Sequence, residues 1–114
     1  MKIPPDAIIP ASKLTRYLLV WRDEDDKSKF LAQAGFTLGN PQDLEAAIRL
    51  LIETNEAVED GVNDFGNFYR VEGDLVGVNG RILGVITIWI VKTAVDNKFR
   101  FVTLKPGRKV KRET

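Results

Sequence analysis

The stretch "FYRVEGDLVGVNGRILGVITIWIVK", residues 68–92, decides the fold. Two runs rich in β-branched and aromatic residues flank Asn79-Gly80, the strongest short-range hairpin signal. Taken as a two-residue type I′ turn, that dipeptide pairs Val78 with Arg81. Every later pairing follows, because facing residues of an antiparallel ladder share one side of the sheet. One face then receives Tyr69, Val71, Gly73 and Leu75 opposite Ile90, Ile88, Ile86 and Gly84, and this apolar face is expected to lie under helices. The other receives Phe68, Arg70, Glu72, Asp74 and Val76 opposite Val91, Trp89, Thr87, Val85 and Leu83.

Downstream, a tight turn at Asp96-Asn97 leads into "FRFVTLKP" as the last strand. Continuing the parity across it puts Phe99, Phe101 and Thr103 on the helix side, and Arg100, Val102 and Leu104 beside Trp89 on the open side. Upstream, "EAVEDGVNDFG" reads as an edge strand whose acidic residues discourage intermolecular pairing.

The N-terminal half has helical spacing instead. Ser12 caps a short helix carrying Leu14, Tyr17 and Leu18; Asp25 or Asp26 caps a second over "KSKFLAQA", which Gly35 closes. The third has Asn40 as N-cap, Pro41 in the first turn and Leu44, Ala47, Ile48, Leu51 and Ile52 on one stripe, with Asn55 as its stop. The run Asp23 to Asp26 lacks the glycine and spaced carboxylates of a calcium loop, so capping and solvation explain it better than a cation site.

Helices first and a meander afterwards predict an α+β domain, with two to three N-terminal helices on one face of an antiparallel sheet of about four strands, within a range of three to five. The domain is expected to span residues 1–106, with 107–114 as a disordered basic tail.

Composition narrows the chemistry. Among 114 residues there is no cysteine and no histidine, which removes disulfides, thiolate metal sites, cysteine nucleophiles and histidine general bases. Catalysis would rest on Lys, Arg, Tyr, Thr or carboxylates, with no cofactor and no metal. The N-terminus "MKIPPDAIIPASK" has neither a signal-peptide core nor a membrane-spanning run, so a cytoplasmic protein without membrane contact is expected. The net charge of +1 conceals an asymmetry: Met1 to Asp64 holds 7 basic and 12 acidic residues, whereas Phe65 to Thr114 holds 10 basic and 4 acidic. Four of those late cations lie in the tail "PGRKVKRET", which favours anionic partners or simple solvation.

On the open face, Arg70, Glu72, Thr87, Trp89 and Arg100 are expected to cluster. A face that is only wetted would not display an indole beside Val85 and Leu83. Cations beside an aromatic plane suit RNA, whose bases stack while arginine pairs with phosphate. An Arg70 and Trp89 cation-π pair that stabilises the hairpin, or a dimer interface, accounts for the same residues.

The order of "KLTRYLL", "DKSKFLAQAGF", "LEAAIRLL", "FGNFYRVEGDLVGVNGR", "VITIWIV" and "FRFVTLKP" resembles a family of bacterial domains of unknown function, over roughly Ala7 to Pro106. These occur as small stand-alone proteins, frequent in cyanobacteria, and as C-terminal modules of polymorphic toxins. The resemblance implies a fold similar to the barnase, colicin and RelE-like ribonuclease group, which cleaves RNA without metal on the open sheet face. The toxin modules often carry His-Pro-Lys-Gly before the second helix and Val-Thr-Ala-Tyr-Pro near the last strand. Here those stretches are "DEDDKSKF" and "VTLKP", so Lys27 or Lys29 and Thr103 are carried over while the histidine and tyrosine are replaced.

The resulting expectation is a metal-independent endoribonuclease of toxin type. Its catalytic candidates are Arg70, Glu72, Arg100 and Thr103; its substrate-binding candidates are Trp89, Thr87, Lys105, Lys27 and Lys29. A small antitoxin or immunity-like protein would be its partner and RNA its ligand. The competing expectation is a non-catalytic protein-binding module, either a homodimer or the partner of a neighbouring gene's product. RNA binding without cleavage is a third, and it would weaken steeply with salt.

Overall fold

The computed structural model describes residues 1–23, 26–92 and 94–107. Four strands, β1 (Ala57–Asn63), β2 (Gly66–Val76), β3 (Ile82–Val91) and β4 (Phe99–Pro106), form one antiparallel sheet in the order β1-β2-β3-β4. Three helices precede them: α1 (Ala11–Lys13), running on as a π-helical turn (Leu14–Leu18), then α2 (Ser28–Ala32) and α3 (Pro41–Thr54). The fold is therefore α+β with helices ahead of a four-stranded meander, as the sequence predicts.

Helix α3 forms where its stripe requires. Leu44, Ile48, Leu51 and Ile52 are buried, each contributing about 1.5–3 kcal/mol of burial. Asn40 precedes the helix but does not cap its N–H groups. Its Oδ1 instead accepts from the Thr37 backbone N–H at 2.8 Å, and its Nδ2 donates to the Gly35 carbonyl at 3.0 Å, so it ties the preceding loop. Asn55 ends the helix by donating to the Leu51 carbonyl at 2.9 Å. Close approach of this end to the sheet requires Gly73, where a Cβ would lie 2.6 Å from the Asn55 amide nitrogen.

The N-terminal segment shields the far edge of the sheet. Ile8 donates its N–H to the Phe99 carbonyl at 2.8 Å and accepts from the Phe101 N–H at 2.9 Å, while Ile3, Ala7 and Ile9 enter the core. At the opposite edge, β1 carries Glu59, Asp60 and an irregularity in pairing between Glu59 and Val62, which together discourage further strand addition.

The β2–β3 turn differs from the expected two-residue type, and the difference shifts the register by one. Val76 pairs with Ile82; Gly77 donates to the Arg81 carbonyl at 2.7 Å, and Gly80 donates to the Gly77 carbonyl at 3.1 Å. This is a type I turn followed by a left-handed residue, the three-residue hairpin. Only Gly80 takes positive φ, at 87°; Asn79, which a type I′ turn would also require there, does not. Its side chain is otherwise engaged, accepting from Arg81 N–H at 2.9 Å and donating to the Gln33 carbonyl at 3.0 Å.

The consequence runs the length of β3. Tyr69, Val71, Gly73 and Leu75 face the helices as expected, but their partners are Trp89, Thr87, Val85 and Leu83. Trp89 is fully buried, edge-on to Phe101 at 5.3 Å, and its indole N–H donates to the Thr87 hydroxyl at 2.9 Å. Thr87 in turn donates to the Val71 carbonyl at 3.0 Å, so both polar groups of this buried pair are satisfied. Arg70 and Trp89 thus lie on opposite sides of the sheet, with neither a shared cleft nor a cation-π contact between them.

Strand β4 keeps the expected parity only at its start. Phe99 and Phe101 face the helices and Arg100 pairs with Ile90, but the register shifts between Ile88 and Trp89, where a bulge absorbs Val102. Past it Leu104 pairs with Thr87 and is buried, while Thr103 and Lys105 pair with Ile88 and Ile86 on the open side. The turn before β4 is also longer than assumed: Val91 pairs with Phe99, and Asn97 takes φ 60°.

Candidate functional site

The sheet face that carries Arg70 is turned away from α3, whose end packs at Gly73 on the other face, and it is organised as three cross-strand rungs. Phe68, Ile90 and Arg100 form the first; Arg70, Ile88 and Thr103 the second; Glu72, Ile86 and Lys105 the third. In each, an isoleucine of β3 separates a β2 side chain from a β4 side chain by two strand spacings, about 10 Å. The face is therefore a trough with an aliphatic floor and walls that are polar except at Phe68.

Arg70 makes two ion pairs on this face. Its Nε donates to Glu72 Oε2 at 2.9 Å and its Nη1 to Asp60 Oδ1 at 3.0 Å. These exposed pairs add little stability, on the order of 0–1 kcal/mol, but they fix the direction of both side chains. The Arg70 Nη2 and the second oxygen of Glu72 have no hydrogen-bond partner among the described residues. Arg100 is held by Asp96 through its Nη2.

All the polar candidates from β2 and β4 (Arg70, Glu72, Arg100, Thr103 and Lys105) share this face. The remaining four do not. Thr87 and Trp89 sit in the core, for the register reason given above. Lys27 is 7% exposed and donates to the Tyr17 hydroxyl at 3.1 Å, with its ammonium 5.2 Å from the centre of that ring. Lys29 is on α2, in the helical layer on the opposite side of the sheet. Among the acidic run, Asp26 takes up the capping role: its carboxylate accepts from the Ser28 hydroxyl at 2.8 Å and from the N–H groups of Arg22, Ser28 and Lys29. Burial pushes this carboxyl upward, but those hydrogen bonds outweigh it and hold the group below its ordinary value. Glu24, Asp25 and the tail residues 108–114 lie outside the described residues. Among the described residues no three acidic side chains group to hold a metal ion, and no helix is long and apolar enough to cross a membrane.

Sequence reasoning missed a hollow at the first-rung end of the trough. It has a volume of about 370 Å³ and is lined by Lys13, Phe65, Phe68, Ile90, Lys92 and Arg100, among others. The β1–β2 turn at Asp64 and Phe65 places Phe65 there, 72% exposed. Gly66 permits this turn to sit against β3, since a Cβ there would be 2.3 Å from the Val91 carbonyl oxygen. The signal in the sequence was an aromatic at a hairpin tip, where turn chemistry asks for none.

A helix-backed antiparallel meander whose face away from α3 carries a row of polar side chains is the class of structure defined by these observations. The chain belongs to the family described as domain of unknown function DUF6883, which matches residues 4–108. No curated protein matches it. Among solved structures it is similar to a chain of a contact-dependent growth inhibition toxin–immunity protein complex from Klebsiella pneumoniae 342. The TM-score is 0.68 at 17% identity, over 89% of this chain and all of that one. At that identity the likeness concerns the fold.

Proposed function

We propose that this protein is a metal-independent ribonuclease of toxin type, related to the barnase and RelE-like group, which acts on RNA through the open sheet face. The observation that carries this reading is the placement of Glu72 and Lys105 at opposite ends of one rung, with Arg70 and Thr103 on the next. In-line cleavage of a phosphodiester needs a base on one side of phosphorus and an acid on the other. Glu72 takes the proton from the 2′-hydroxyl, whose oxygen attacks phosphorus. The bond to the 5′-oxygen breaks as the Lys105 ammonium supplies its proton, and a 2′,3′-cyclic phosphate is left. Arg70 Nη2 and the Thr103 hydroxyl face the non-bridging oxygens, where negative charge develops. The similar chain belongs to a toxin–immunity protein complex, which is consistent with an immunity-like protein as the partner.

The test is incubation of total RNA with the protein in EDTA. Fragments ending in 2′,3′-cyclic phosphate are expected; RNA that stays intact at high protein concentration would refute the assignment.

One feature favours a second reading. Both arginines of the face are paired with carboxylates, and Val58, Val76 and Ile82 extend the aliphatic floor at 50%, 47% and 57% exposure. A face of that kind also suits protein docking, by an immunity-like partner or a second copy of this chain. Intact RNA together with a stable complex that Ile88→Lys disrupts would select it.

A further inference from the structure

The hollow at the end of the trough combines aromatic rings, cations and an apolar floor. Three aromatic rings line it, those of Phe65, Phe68 and the buried Phe101, and Phe65 is exposed at a hairpin tip where it stabilises nothing in the core. Three cations, Lys13, Lys92 and Arg100, line it as well. Lys13 and Lys92 have no carboxylate partner among the described residues, so Asp96 on Arg100 is the lone counter-charge paired to the three. Its floor, Ile90, is 7% exposed, and its volume of about 370 Å³ falls within the range of small-molecule sites, roughly 300–1,000 Å³.

A flat apolar ligand with an attached anion satisfies all of this. We infer that the hollow is a nucleotide subsite, in which a base lies against Phe65 and Phe68 and its phosphate is held by Lys92, Lys13 and Arg100. This rests on the reading of the open face as an RNA site, because the first rung continues directly into the rung of Arg70 and Thr103. A strand that seats one base in the hollow would run its next phosphate along the trough. Stacking tolerates any base, so selectivity among bases is expected to be modest.

Calorimetric titration of the full chain with AMP, inorganic phosphate and a 2′-O-methyl trinucleotide tests the assignment. AMP is expected to bind, and Phe68→Ala to weaken it about 5- to 150-fold, the range for loss of one stacked base. Phe65→Ser, at an exposed position, is expected to weaken it in the same direction without altering the melting temperature. Lys92→Gln should weaken AMP and trinucleotide together and reduce the salt dependence of both. A trinucleotide that binds more tightly than AMP, with the same sensitivity to Phe65→Ser, identifies the ligand as an RNA strand; equal affinities identify a free nucleotide. The inference is overturned if AMP does not bind, if both phenylalanine variants bind it as the parent does, or if phosphate alone matches AMP. The ribonuclease reading fails separately: intact RNA alongside AMP binding that Phe65→Ser weakens would remove cleavage and leave the subsite in place.

Discussion

Replacement of Trp89 by alanine is expected to destabilise the protein by about 3–5 kcal/mol, as for other buried large aromatics. The side chain is fully buried between the sheet and the helices, edge-on to Phe101, and its indole N–H is the group that the Thr87 hydroxyl satisfies. Its loss opens a cavity in a core that small domains cannot easily collapse. With total stability on the order of 5–15 kcal/mol, the melting temperature should fall by about 10–25 °C. Urea unfolding of the Trp89→Ala and parent proteins measures this. Had the hairpin turned on two residues, Trp89 would lie on the open face and its removal would change stability by about 0.5 kcal/mol or less. A value that small would return the indole to the surface and displace the rungs by one residue.

Glu72→Gln is expected to lower RNA cleavage about 10²- to 10⁴-fold, the usual contribution of a positioned general base. Stability should stay within about 1 kcal/mol, since Glu72 is exposed and its pair with Arg70 is a surface one. The two outcomes together separate chemistry from folding. Arg70→Ala should also reduce turnover, through lost charge on the phosphate and a Glu72 no longer held in one direction. Equal cleavage by the Glu72→Gln and parent proteins would remove the proposed base.

Trp89 and Glu72 differ in how far local sequence dictates their placement. Strand β2 carries charge on one face only, so Arg70 and Glu72 could be sent outward from the alternation of Tyr69, Val71 and Leu75 alone. Helix α3 was legible for a similar reason, because Pro41 and the Leu44 to Ile52 stripe point to one register. Strand β3 is apolar on both faces, with Ile86, Ile88 and Ile90 on one and Val85 and Trp89 on the other. Hydrophobicity therefore could not choose between them, and the choice fell to the turn. Asn79-Gly80 serves either a two-residue type I′ turn or a type I turn with a left-handed glycine. What selects the second is tertiary: Asn79 bonds the Gln33 carbonyl, and Gly77 packs where a Cβ would meet the Ala34 carbonyl oxygen at 2.3 Å. The bulge at Val102 was invisible for the same reason, and it brings Thr103 and Lys105 to the open face while Leu104 enters the core.

The most direct test of the account is an amide chemical-shift map of the protein with a 2′-O-methyl oligoribonucleotide that cannot be cleaved. The shifts are predicted to fall on Phe68, Arg70, Glu72, Ile86, Ile88, Thr103 and Lys105, and to spare the helical residues around Lys27 and Lys29. Shifts confined to the helical layer, or none at concentrations where RNA is cleaved, would contradict it.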